Sequence, residues 1–196
     1  MINITCHCGE TIDTNLEEDL DLASSDNIYR SIIGGSFMAF DCPNCSNTLK
    51  TEVKIHLFDE AKDIDIQFLP ELERASYLSG KAKYSAKRVV IGYPELVEKI
   101  SVIGQALDDR IIEIIKFRLL EKSPKPEILI RFSHKDQDNL IFHIDGLRTD
   151  QVGVSKVPIE VYENISNNLD SVIEDENISL ILKPPYVSIN CVYLEA

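Results

Sequence analysis

Basic residues are scarce in this chain: 20 Lys and Arg stand against 33 Asp and Glu among 196 residues, a net charge of −13. A surface this acidic repels phosphate backbones, which weighs against non-specific nucleic-acid binding. Long apolar runs are missing too. The longest, Ile111 to Leu120, is interrupted by Glu113, Lys116 and Arg118, whereas a membrane span needs about 18 apolar residues in a row. Met1-Ile2-Asn3-Ile4-Thr5 carries neither the charged start nor the apolar stretch of a secretory signal. These absences predict a cytoplasmic protein with no membrane association. The chain also lacks G-x-G-x-x-G, a phosphate-cradling loop, H-E-x-x-H and G-x-S-x-G. No catalytic and no cofactor-binding residue is therefore assigned, and the pattern points away from an enzyme. There is no internal repeat and no low-complexity segment.

What is present is a set of cysteines. Cys6 and Cys8 lie in Ile4-Thr5-Cys6-His7-Cys8-Gly9-Glu10, and Cys42 and Cys45 in Asp41-Cys42-Pro43-Asn44-Cys45-Ser46. In a reducing compartment, paired cysteines read as metal ligands before disulfides. Four thiolates in two close pairs match a tetrahedral zinc ion, so Cys6, Cys8, Cys42 and Cys45 are the candidate metal ligands. Redox pairing and an inert apolar cluster are the alternatives. A full set of four protein ligands leaves no position for water, which makes such a zinc structural and not catalytic. Pro43 presets φ in the second turn. Gly9 can take the positive φ that turns backbone N–H groups toward the sulfurs of the first. His7, between two ligands, is expected to face solvent. Cys191 stands alone among Ile189, Val192 and Leu194 and reads as core.

The chain is 44% hydrophobic, enough for a real core in one domain or two small ones. Residues 1–14 read as a short hairpin with Cys6 to Gly9 at its tip. Asn15 to Asp26 reads as an acidic loop. Asp26 is placed to cap a helix over Asn27–Ile33, which Gly34-Gly35 stops. Ser36–Asp41 and Thr48–Phe58 read as strands on either side of the second cysteine pair, and Ile64–Phe68 as a partner strand ended by Pro70. Residues 71–91 carry 2 acidic and 5 basic side chains, the one basic stretch of the chain, and read as a linker. Pro94 opens a helix carrying Leu96, Ile100, Ile103 and Leu107 on one stripe. Gly104 and the Asp108-Asp109 cap separate it from a second helix, which Pro124 and Pro126 stop. Glu127–Phe132 and Leu140–Ile144 form a hairpin. Pro158 starts a helix on Ile159, Tyr162, Ile165 and Leu169. Ile178–Leu182 and Val187–Tyr193 read as closing strands. The expectation is an α+β protein: a zinc-ribbon-like antiparallel β module with a short helix at 1–91, and an α+β domain at 92–196.

These residues resemble the CpXC family, prokaryotic proteins recognised by two cysteine pairs and of unknown function. The resemblance runs over Ile4 to Glu10, Gly35-Ser36-Phe37, Phe40 to Cys45, and Asp59 to Phe68-Leu69-Pro70. It continues through Glu98-Lys99-Ile100 to Asp108-Asp109 and Leu140-Ile141-Phe142. His7 stands where the family usually has proline. Ser46 stands where glycine commonly follows the second pair. Both departures loosen the turns and neither removes a ligand.

Three functions remain open. The first is a protein-interaction module, held by structural zinc, that binds a protein partner or itself. The second is a nucleic-acid-associated regulator using Arg74, Tyr77, Lys81, Lys83, Tyr84, Lys87 and Arg88, a mixture of cations and aromatics suited to single strands. The third is an enzyme with an unrecognised site in the C-terminal half. There His143 and Asp145 share a strand face, with no nucleophile recognisable nearby. His56 reads as a surface residue of its strand.

Overall fold

The computed structural model describes residues 2–14, 16–24, 26–122, 125 and 127–191. They divide into two compact units, Met1–Val97 and Glu98–Ala196. The architecture is α+β.

In the first unit β1 (Asn3–Thr5) and β2 (Thr11–Asp13) form a two-stranded antiparallel ribbon with Ile4 opposite Ile12. β3 (Asp19–Asp21) follows, then a 3-10 turn at Leu22–Ser24 and α1 (Asp26–Ile33). The expected loop at 15–26 therefore holds a strand. β3 carries one apolar side chain, Leu20, between two aspartates, so no alternation advertised it; the buried Leu22 anchors its end. The expected cap from the Asp26 side chain lies outside the described residues. The helix stops as expected, because Gly34 N–H bonds the Arg30 carbonyl at 2.8 Å and Gly35 takes φ +74°.

β4 (Ala39–Asp41) and β5 (Thr48–Lys50) make the second ribbon. β6 (Ile55–Asp59) and β7 (Ile64–Leu69) pair antiparallel and alternate buried with half-buried residues. The single strand expected over Thr48–Phe58 is thus two strands in two different sheets. The turn from β6 to β7 is closed by Asp59, whose carboxylate accepts from Lys62 N–H, and by Asp63 at φ +56°. α2 (Arg74–Leu78) comes next, then β8 (Arg88–Ile91), parallel to β7. The stretch read as a linker is consequently a helical turn leading into an edge strand. The sheet order is β3-β6-β7-β8, with β3 also parallel to β6. Ile55, Leu57, Ile64, Ile66, Phe68, Val89, Val90 and Ile91 from it are buried. α3 (Tyr93–Gly104) spans the boundary between the units.

In the second unit α4 (Asp109–Glu121) is capped by Asp108, whose carboxylate accepts from Arg110 N–H at 2.9 Å. The stop expected from Pro124 and Pro126 lies outside the described residues. β9 (Leu129–Lys135), β10 (Asn139–Arg148) and β11 (Gln151–Pro158) form an antiparallel sheet in the order β11-β10-β9. α5 (Ile159–Asn167), α6 (Leu169–Val172) and α7 (Glu176–Ile181) complete the unit with a 3-10 turn at Ile189–Cys191. Ile111, Ile114, Ile115, Ile130, Phe132, Leu140, Phe142 and Ile181 lie in one core. Phe132 meets Phe142 edge to face at 5.6 Å.

The first of the two expected closing strands is helical instead, and the described part of the second ends in a 3-10 turn. Asp175 caps α7 through Asn177 N–H and Ile178 N–H, and Ile178, Ile181 and Leu182 bury one helical face. The Ile178–Leu180–Leu182 alternation imitates a strand, but Leu180 is exposed. Residues 187–191 end in the 3-10 turn, and the rest of that expected strand lies outside the described residues. The sheet's third strand is β11, whose Val152 and Val154 are exposed. An edge strand without a fully buried face shows little of the alternation that marks strands.

Candidate metal centre

The turn of each ribbon presents two thiols to the other. In the first, Cys6 N–H bonds the Glu10 carbonyl at 2.8 Å and Gly9 N–H bonds the Cys6 carbonyl at 2.9 Å. Gly9 sits at φ +90°, which no other residue type takes without strain. In the second, Ser46 N–H bonds the Cys42 carbonyl and Cys42 N–H bonds the Asn47 carbonyl, both at 2.9 Å. Ser46 takes φ +58°, so it occupies a left-handed position without the freedom of glycine.

The four sulfurs lie within 4.8 Å of one another. Cys6 Sγ is 3.6 Å from Cys45 Sγ, and Cys8 Sγ is 3.6 Å from Cys42 Sγ. A disulfide would bring sulfurs to about 2.05 Å, and all four cysteines are free. A tetrahedral ion with metal–sulfur bonds of about 2.3 Å requires sulfur–sulfur edges of about 3.8 Å. The cluster therefore has the dimensions of a metal site and can hold a metal ion. Cys6 and Cys42 are buried, Cys45 is half-buried and Cys8 is exposed. Beneath them lies a small apolar cluster: Cys6, Cys42 and Ile12, with Ile4, Phe40, Cys45 and Leu49 against it.

The sulfurs differ in acidity. The Glu10 backbone N–H, aided by the Asn44 amide at 3.6 Å, outweighs burial and draws the Cys8 thiol down to about 6. The Cys8 backbone N–H draws on Cys6 in the same way, but burial and the three neighbouring sulfurs outweigh it and push Cys6 up to about 12. One thiolate forms readily, and further negative charge in so small a space calls for a cation. His7 is exposed at the tip and does not belong to the cluster.

The other candidates disperse. Arg74 pairs with Glu71 and Glu95 and bonds the Ile91 carbonyl, and the Lys87 ammonium pairs with Asp63. Both cations serve the chain's own carboxylates and carbonyls, which subtracts them from any charge offered to phosphate. Tyr77 and Tyr84 stack on each other at 6.1 Å. Asp145 pairs with Arg131 rather than orienting His143. Asp108 caps α4, and Asp109 accepts from Lys99 Nζ at 2.7 Å. Cys191 is half-buried on the 3-10 turn, its thiol toward the Leu180 carbonyl at 3.8 Å.

Sequence reasoning missed a buried charge network in the second unit. Lys116 Nζ donates to Glu98 Oε2 and Glu113 Oε1, both at 2.8 Å. Glu98 Oε1 accepts from Phe132 N–H, and Glu113 Oε2 from Ile189 N–H at 2.8 Å. All three side chains are buried. Burial pushes the Glu98 carboxyl up against the pull of Lys116. It also draws Lys116 down, but the two carboxylates prevail and its pKa is raised. Every carboxylate oxygen has a donor, so the network ties α3, α4, β9 and the Ile189 turn together and offers no open chemistry. Its signal was the pair Glu113 and Lys116, three residues apart, inside an otherwise apolar run. His56 was also underrated: its ring stands between two aspartates.

The family described as CpXC protein matches residues 4–116. An uncharacterized protein of Treponema pallidum (strain Nichols) is 25% identical over 189 aligned residues, covering 84% of this chain and 87% of that protein. No solved structure matches. No helix among the described residues is long and apolar enough to cross a membrane.

Proposed function

The chain belongs to the CpXC protein family, and we propose that it is a protein-interaction module held together by a structural zinc ion on Cys6, Cys8, Cys42 and Cys45. The observation that carries the metal is the sulfur cluster. Its 3.6 Å contacts approach the edges of a zinc–thiolate tetrahedron, and four thiolates are the donor set of structural zinc. Bound there, zinc would neutralise thiolates that otherwise repel one another and would cross-link two ribbons whose shared core is small. Ligation by four protein sulfurs leaves the ion no place for substrate, so the function lies on surfaces. A reducing, cytoplasmic setting belongs to the same reading, since oxidised thiols cannot ligate.

The surface that best suits a partner is β11. It is an edge strand, and Val152 and Val154 on it, with Leu147 on the adjacent β10 and Leu129 on β9 of the same sheet, are exposed. Edge strands are usually guarded by charge or proline, and here Lys156 and Pro158 guard only one end. The favoured occupant is a second copy. Antiparallel pairing of β11 with itself about Val154 sets Val152 against Lys156 of the other copy, so no like charges oppose within a chain of −13.

Two measurements test this reading. Elemental analysis of protein purified without added metal should find one zinc per chain; protein free of zinc would remove the staple. Light scattering should find a concentration-dependent dimer, and Val154→Lys, which opposes two lysines across the dyad, should return it to monomer. A monomer at every concentration, or a dimer indifferent to that substitution, removes β11 as the contact surface.

A further inference from the structure

His56 on β6 lies between two carboxylates carried by the strands on either side. Its Nδ1 is 2.9 Å from Asp19 Oδ1 of β3 and its Nε2 is 2.8 Å from Asp65 Oδ1 of β7. A neutral imidazole has one N–H, so its second nitrogen would turn a lone pair toward carboxylate lone pairs. Only the imidazolium donates to both. The geometry thus defines the protonation state of the ring.

The two carboxylates are not held alike. Asp65 is further fixed by Lys87 N–H on its Oδ2. Asp19 is largely exposed, with 73% of its side chain accessible. It belongs to a three-residue parallel strand at the sheet edge, paired through Asp19–His56, Leu20–Leu57 and Asp21–Phe58. The other groups around the ring are few. The His56 backbone N–H bonds the Glu18 carbonyl at 2.7 Å, and Phe58 stacks on the ring at 5.7 Å. Glu18, Glu52, Lys54 and Gln67 line with it a groove of about 580 Å³. Glu52 is engaged by Glu71 N–H and Tyr93 N–H, both at 2.6 Å.

We propose that His56 is a proton-operated latch: protonated, it fastens β3 to the sheet through Asp19, and deprotonated, it releases that edge strand and bares the edge of β6 beside the groove. The direction of the effect follows from the surroundings. Burial draws the ring pKa down, but the bonds to Asp65 and Asp19 outweigh it and hold it above the ordinary 6.5. A raised pKa in the folded state means that the latch is fully closed below about 6.5 and opens as pH rises through the folded value. Neither His56 nor its partners Asp19 and Asp65 belongs to the cysteine cluster or lies within two residues of it in sequence.

The test is residue-resolved NMR on the full chain as isolated. The His56 ring nitrogens should titrate above 6.5. From about pH 6 to about pH 9, opening at Asp19–Asp21, corrected for intrinsic exchange, should rise about tenfold or more, as befits one lost charge-assisted hydrogen bond. The β6–β7 amides should not follow. Asp19→Asn, an exposed substitution that spares the fold, should lower the His56 titration point, and His56→Gln should abolish the pH dependence at β3. Titration of His56 at or below 6.5, or a pH dependence at β3 that survives His56→Gln, overturns the latch.

Discussion

The cysteine ribbons and the second unit solve the same problem with opposite means. The ribbons have strands of three residues and share a cluster of Cys6, Cys42 and Ile12 with four partly buried neighbours. Burial of that size, at about 1.5–3 kcal/mol per large apolar side chain, does not offset the ordering of two ribbons and their turns. Among the described residues, the second unit has nineteen buried hydrophobic side chains in one core and also buries Glu98, Lys116 and Glu113. The contrast teaches that a cluster able to hold a metal ion sits where the core is small, and that buried charge is tolerated where the core is large. In the first region four thiols converge on a site that could hold a metal ion. In the second, carboxylates each find a backbone N–H.

The strongest way to break the comparison is to withhold the proposed zinc. Apparent zinc-binding free energies in small zinc modules are about 10–16 kcal/mol. Chelation or Cys42→Ser should therefore unfold β1–β2 and β4–β5, seen as loss of amide protection there. The β3-β6-β7-β8 sheet, with its own buried face, and the second unit should keep their protection. Next in size is Lys116→Ala, which leaves two carboxylates buried and should cost the second unit about 3–5 kcal/mol in urea denaturation. Replacing Glu98, Glu113 and Lys116 together by apolar residues of similar volume should recover most of that loss. Asp108→Ala removes the α4 cap and should cost about 1 kcal/mol by the same measurement. The smallest effect runs the other way. Ser46→Gly relieves the left-handed position after Cys45 and should stabilise the metal-loaded ribbons by up to about 1 kcal/mol, read as slower zinc loss to a chelator.

Legibility followed the same division. The cysteine pairs, the glycine stop after α1, the Asp108 cap and the β9–β10 hairpin could all be read locally, because each signal sits within a few residues of its effect. β3 could not. Asp19-Leu20-Asp21 becomes a strand only through parallel pairing with β6, more than thirty residues away. β11 was hidden for a different reason, since Val152 and Val154 face solvent and only Val157 is buried. α7 was misread because Ile178, Leu180 and Leu182 alternate as well as they turn, and only the Asp175 cap decides between the periods. The sulfur cluster was readable as a set of residues, but not its uneven exposure, with Cys8 outermost and Cys6 and Cys42 within. The charge network showed only its Glu113–Lys116 pair, because its other partners, Glu98 and the Phe132 and Ile189 N–H groups, come from other elements, and the His56 bridge was illegible because three strands assemble it.

The bond from Ile189 N–H to Glu113 Oε2 joins residues 76 positions apart. During synthesis α4 leaves the ribosome long before its buried carboxylate can meet that donor. Until then Lys116 is the one partner of the Glu113 carboxylate. A chain without the Ile189 turn would keep the Lys116 pair but leave Glu113 Oε2 without its backbone donor.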